Sequence, residues 1–118
     1  MEKSIAGDKS FNFAIRIIRL CKYLRDEKKE YELASQLWRS GTSIGANIQE
    51  GLQGQSKRDF LAKMNIALKE TSETKYWLHL ARATGILSEN EQTSIVADCI
   101  ELEKILTAIV KTTGERIK

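Results

Sequence analysis

One histidine (His79), two cysteines (Cys21 and Cys99) and an acidic pair (Glu70 and Glu73) are the side chains with which this sequence could do covalent or acid–base chemistry. A lone histidine cannot supply the paired imidazoles of a metal site. The Glu-x-x-His spacing of di-iron bundles is also missing, because Tyr76 stands three residues before His79. His79 falls at the edge of its helix's apolar arc, which suits a surface or interface histidine; a general base would need an orienting partner and a cleft. Glu70 and Glu73 could pair as acid and base, but the same spacing makes a solvated or salt-bridged helix face, and that is the expectation. Cys21 and Cys99 lack CxxC spacing and stand inside apolar stripes, where a thiol behaves as a small hydrophobe. The sequence therefore predicts a non-enzyme without metal or cofactor.

Two further patterns could bind rather than react. Between Leu37 and Leu52, Gly41, Gly45 and Gly51 interrupt a helical pattern, each at about 1 kcal/mol relative to alanine. A phosphate loop of the Walker kind needs GxxxxGK[ST] after a strand, whereas these glycines lie inside a helix with no lysine following. They instead predict a smooth groove admitting a neighbouring helix, beside hydrogen-bonding groups at Ser40, Ser43, Asn47 and Glu50. The second pattern is cationic: Arg16, Arg19, Lys22 and Arg25 recur every third residue as a spiralling ridge. Lys28 and Lys29 continue it, and Lys57 with Arg58 open a later helix.

Four helices must position these groups. The first, about Phe11 to Lys29, carries Phe13, Ile17, Leu20, Cys21 and Leu24 on one side; the second, about Glu32 to Gly51, carries Leu33, Leu37, Ile44 and Ile48. Ser56-Lys57-Arg58-Asp59 is a capping-box-like start for the third, whose Phe60, Met64, Ala67, Thr71, Thr74, Leu78 and Ala81 form a heptad seam. Gly85 suits a left-handed helix end, and Ser88-Glu89-Asn90-Glu91 is a full capping box before Ile95, Cys99, Leu102, Leu106 and Ile109. No segment has strand periodicity. The fold class is all-α, an antiparallel up-down four-helix bundle.

Length and composition agree. The 118 residues fit one domain, 1–118, and can bury roughly two-thirds of the unfolded surface without disulfides. Proline is absent, which permits long helices. The net charge of +3 proves no nucleic-acid partner, but residues 1–58 hold eleven basic and seven acidic side chains, so the positive field arises in the first half. With no apolar run near 18 residues and no charged-then-apolar leader, the expectation is a reduced cytoplasmic protein with no membrane partner.

The sequence also resembles a known family. Arg39-Ser40, Ser43-Ile44-Gly45-Ala46-Asn47-Ile48 and Glu50-Gly51, followed by Asp59-Phe60, Ile66-Ala67-Leu68-Lys69-Glu70, Glu73-Thr74 and Trp77-Leu78, are similar to the four helix bundle proteins of bacterial 23S ribosomal RNA intervening sequences. The likeness spans roughly residues 11 to 112; Gly41, where an alanine would be ordinary, is its chief departure. The resemblance implies an up-down protomer, a ring-shaped homopentamer, no known enzymatic activity, and a proposed role in binding RNA or other nucleic acid. More distantly the chain resembles the accessory protein of diversity-generating retroelements, a basic pentamer that engages a reverse transcriptase and nucleic acid.

Residue patterning points to self-association independently. Ile66, Trp77 and Leu80 cluster on a side of the third helix away from its seam, and Trp38, Phe11, Ile15 and Ile18 add apolar surface elsewhere. The expected contact centres on Trp38, Ile66, Trp77 and Leu80. Asn47 and Glu50 are expected to hydrogen-bond to a neighbouring helix around Glu73 and Thr74, so that Asn47→Ala lowers the melting temperature. The expected function is a nucleic-acid-associated accessory factor contacting RNA or DNA through Arg16, Arg19, Lys22, Arg25, Lys57 and Arg58; the competing class is a protein-binding scaffold.

Overall fold

Ser4 starts the first helix. Its backbone stays extended while its Oγ accepts a hydrogen bond from the Gly7 N–H at 2.9 Å, which satisfies one of the donors a helix start leaves free. The computed structural model describes residues 4–117. These form α1 (Ile5–Asp26), α2 (Tyr31–Leu52), α3 (Lys57–Ala83) and α4 (Glu89–Ile117), with no strand among the described residues. α1 begins six residues before the apolar pattern suggested, because small side chains, Ala6 and Ser10, bury its first turns. It also stops three residues early. Lys29 adopts a left-handed φ of 57°, and the Glu30 N–H turns back to Leu24 O at 2.9 Å.

The other starts follow their local signals. Ser56 Oγ accepts from the Asp59 N–H at 3.1 Å to open α3. At α4 the capping box is reciprocal: Ser88 Oγ accepts from Glu91 N–H at 3.2 Å, and the Ser88 N–H donates to Glu91 Oε1 at 2.9 Å. Between them Gly85 takes φ 79°, a conformation that strains any residue with a Cβ, and the Leu87 N–H closes onto Ala81 O at 3.1 Å. That closure points Leu87 into the bundle, where it is fully buried.

Short connections force antiparallel neighbours, and each helix packs against the next in sequence, with α4 returning to α1. The bundle measures 47 × 22 × 22 Å. Phe13, Ile17, Leu24, Leu37, Ile44, Ile48, Met64, Leu78, Leu102 and Leu106 fill its axis. Of the expected stripes, Leu20, Leu33, Phe60 and Ile109 are only half-buried at the rim. Cys21 and Cys99 are fully buried, their thiols donating to Ala34 O at 3.3 Å and Thr71 O at 3.4 Å. Burial pushes the two thiols up to about 11 and about 12, which leaves no thiolate for nucleophilic or redox chemistry near neutrality. No described helix is long and apolar enough to cross a membrane.

Two glycines of α2, Gly41 and Gly45, serve the approach of α1, while Gly51 lies against α3. A Cβ on Gly41 would lie 2.7 Å from Ile17 Cγ2 and 2.8 Å from Ile17 Cγ1, so the α1–α2 crossing is closed by the absence of a side chain there. Of the described glycines, Gly41 is the one where an added Cβ would come nearest to a neighbour.

Candidate functional site

Successive residues three apart on a helix step back by about 60°, so a ridge with that spacing wraps across a face instead of running down it. The structure shows the result. Arg19 and Lys22 stand on the outward face of α1, exposed, and among the described residues neither enters an ion pair. The two ends of the ridge turn into the seams on either side. Arg25 lies over the Trp38 ring of α2, 5.6 Å from its centroid, a cation–π contact. Arg16 turns the other way: its Nη1 is 2.6 Å from Asp98 Oδ2 and its Nη2 donates to Ser94 Oγ at 3.1 Å, both on α4. With 38% and 46% of the two side chains exposed, this ion pair is worth about 0–1 kcal/mol.

Arg16–Asp98 is one rung of a polar seam. Lys9 pairs with Glu101 at 3.0 Å, and the Tyr23 hydroxyl donates to Glu91, which holds the phenol above its ordinary range. The same seam is the thinnest of the four helix interfaces. Lys57 and Arg58 do not extend the ridge. α3 starts at the end of the bundle where Leu52 lies beside Gly7, so these two cations sit one helix length from Lys28 and Lys29.

On the α2–α3 side, Ile66 (42% exposed), Leu80 (38%) and half-buried Trp77 lie along the outer edge of α3, while Trp38 (37%) faces the α1 side of α2. Ile66, Trp77 and Leu80 thus share one edge, and Trp38 stands apart. Between them Arg39 reaches from α2 to Glu70 at 3.6 Å and to Glu73, and the Trp77 indole N–H donates to Glu73 Oε2 at 3.1 Å. The two carboxylates are thereby committed to a cation on a neighbouring helix. His79 is exposed, with Nδ1 3.5 Å from Gln92 Nε2.

The polar network differs from the expected one in its members. Thr74 and Ser40, both fully buried, join α3 to α2 by a 2.9 Å hydrogen bond. Asn47 does not reach Glu73 or Thr74: it is half-buried and its amide donates to Ser43 O one turn back on its own helix, at 2.8 Å. Glu50 does meet α3, but at half-buried Lys63, 3.0 Å away, near the other end from Glu73. Helix register is the reason. In this antiparallel pair residue 40 faces 74, so residues 47 and 50 face positions seven to ten earlier on α3. Thr74→Val is therefore expected to lower unfolding free energy by about 1 kcal/mol, since Ser40 loses its buried partner. Asn47→Ala should change it by less than about 0.5 kcal/mol, because alanine's higher helix propensity offsets a local bond. Urea titration of the two variants checks both values.

Four partners escaped the sequence: Asp98 and Ser94 at Arg16, Trp38 at Arg25, and Arg39 between Glu70 and Glu73. Each joins residues on different helices. Charge counting along one helix carries no signal for such pairs. Among the described residues no cluster of three or more His, Cys, Asp or Glu could hold a metal, and no buried polar side-chain atom lacks a partner.

The sequence model of a family described as "23S rRNA-intervening sequence protein" matches residues 2–108. Five solved chains match. One is the crystal structure of a protein with unknown function from the S23 ribosomal protein family of Bacteroides thetaiotaomicron VPI-5482; it is 48% identical, covers 91% of this chain and 99% of its own, and superposes with a TM-score of 0.89. Comparison with curated proteins finds no match. None of these findings bears on the more distant resemblance to the retroelement accessory protein.

Proposed function

Because the chain belongs to the 23S rRNA-intervening sequence protein family, we propose that it is a non-enzymatic, oligomeric accessory factor that holds RNA by its phosphodiester backbone against the outward face of α1. The observation carrying this reading is the exposed, unpaired state of Arg19 and Lys22 between Arg16 and Arg25. Phosphate is the ligand that such cations favour, and the Trp38 ring at the end of the ridge is already engaged by Arg25, so the contact is with backbone rather than sequence. An uncovered apolar edge supports its oligomeric part. A four-helix protomer cannot cover the outer edge formed by Ile66, Trp77 and Leu80, and a second copy would; the ring implied by the family resemblance is a pentamer. Five copies at a formal +3 each would multiply a modest ridge into a multivalent one.

A second reading rests on a groove of about 670 Å³ between the start of α2 and the end of α3, walled by Tyr31, Leu33, Trp77, Leu80 and Ile86. Such a groove suits an apolar side chain of a protein partner, and the chain would then be a scaffold with no nucleic-acid contact. One experiment separates the two. At low salt the protein is expected to be retained on heparin and on labelled structured RNA, and Arg19→Glu with Lys22→Glu should abolish retention. The logarithm of affinity should fall with the logarithm of salt by about 0.7 to 0.9 per phosphate contacted. Retention indifferent to salt and to both substitutions overturns the RNA reading in favour of the scaffold, and a single-protomer mass by light scattering at micromolar concentration removes the oligomer.

A further inference from the structure

We propose that Asp98 is a built-in competitor for phosphate at Arg16, so that the RNA backbone and the α1–α4 seam contend for one guanidinium. The inference rests on the RNA reading above and concerns how that face is regulated. Both ends of the Arg16 guanidinium are occupied from α4, by Asp98 Oδ2 at 2.6 Å and Ser94 Oγ at 3.1 Å. A carboxylate and a neighbouring hydroxyl present two oxygens to the planar fork, as a phosphodiester does, so the two acceptors are interchangeable to the arginine. Arg16 is the ridge member whose charge is neutralised by an acid; Arg25 is held by an uncharged ring, and Arg19 and Lys22 are free among the described residues.

The exchange is inexpensive on geometric grounds. The pair is 38% and 46% exposed, so water already reaches both partners and a phosphate can enter without opening the core. Ile17 and Cys21, which anchor α1, are fully buried against the bundle and are untouched by the swing of Arg16. What the exchange removes is one of the few ties across the thinnest helix interface, leaving Lys9–Glu101 and Tyr23–Glu91 on either side. RNA binding is therefore coupled to loosening of the α1–α4 seam, and Asp98 limits how many phosphates the face engages.

The test is Asp98→Asn, read by fluorescence anisotropy with a labelled oligouridylate at about 50 and about 200 mM salt. The amide keeps the shape of the carboxylate and gives up its charge. Affinity should rise about two- to fivefold, the factor that corresponds to releasing a weak exposed ion pair. The salt slope should steepen by about 0.7, one more phosphate on a single strand. Arg16→Gln added to Asp98→Asn should erase the gain, and Asp26→Asn, which removes the same charge beside the ridge from an exposed acid that holds no cation among the described residues, should leave the slope unchanged. An Asp98→Asn slope equal to that of wild type, or equal gains from Asp98→Asn and Asp26→Asn, overturns the inference; if Arg19→Glu with Lys22→Glu still abolishes binding, the RNA reading survives it. Absence of oligouridylate binding by both wild type and Asp98→Asn overturns the two together.

Discussion

Replacing Leu87 with alanine is expected to cost about 2–5 kcal/mol of unfolding free energy, as much as a leucine in the middle of a helix. Leu87 belongs to the α3–α4 connection, where substitutions are ordinarily mild. Here the connection folds inward. Gly85 turns the chain with φ 79°, the Leu87 N–H is tied to Ala81 O at 3.1 Å, and the side chain enters the end of the bundle with no exposed surface. Removing three carbons leaves a cavity that rigid helix ends cannot collapse to fill, so the lost transfer energy and lost packing add. The contrast is Leu52, which ends α2 at the other end of the bundle and is 44% exposed. Leu52→Ala should cost less than about 1 kcal/mol, because much of its surface is already in water. Chemical denaturation of both variants measures the difference, and equal costs would show that the Leu87 turn is not packed as described.

Gly41→Val is expected to destabilise at or above the upper end of the roughly 1–3 kcal/mol that overpacking costs. The first added carbon would meet Ile17 Cγ2 and Cγ1 at 2.7 and 2.8 Å, and Ile17 Cβ, which side-chain rotation does not move, at 3.2 Å, so rotation of the isoleucine relieves the contact only in part. The few tenths of a kcal/mol gained in helix propensity over glycine do not offset that. Gly45 has the opposite balance. A Cβ there meets Ser10 Oγ at 3.2 Å, a hydroxyl that can swing aside, so Gly45→Ala should be neutral or stabilising by up to about 1 kcal/mol. Combining Gly41→Val with Ile17→Ala moves volume from one side of the crossing to the other. The double variant should be more stable than the sum of the single costs by more than about 1 kcal/mol, a coupling that a thermodynamic cycle reads directly. Strict additivity would mean that α1 and α2 do not meet at this pair.

The sequence by itself determined the features whose causes lie within one turn of helix. Ser56 and Ser88 cap, Gly85 turns left-handed and the stripes through Ile17, Ile44, Met64 and Leu102 are buried, because each depends on residues three or four positions away. Even there, large apolar residues misled the start of α1, since Ala6 and Ser10 bury a helix face without announcing it. Tertiary structure alone decided which groups meet. Residue 40 faces 74, and Arg16 faces Asp98, because register between helices is set by the summed packing of whole faces and by the close approach at Gly41. A shift of one turn would have given Thr74 or Arg16 other partners without altering any local signal. The candidate site divides the same way. That α1 carries a basic ridge was legible from spacing; that its middle is free while its ends are held by Trp38 and Asp98 follows from where α2 and α4 lie, and electrostatic partners across a bundle leave no periodicity in either helix.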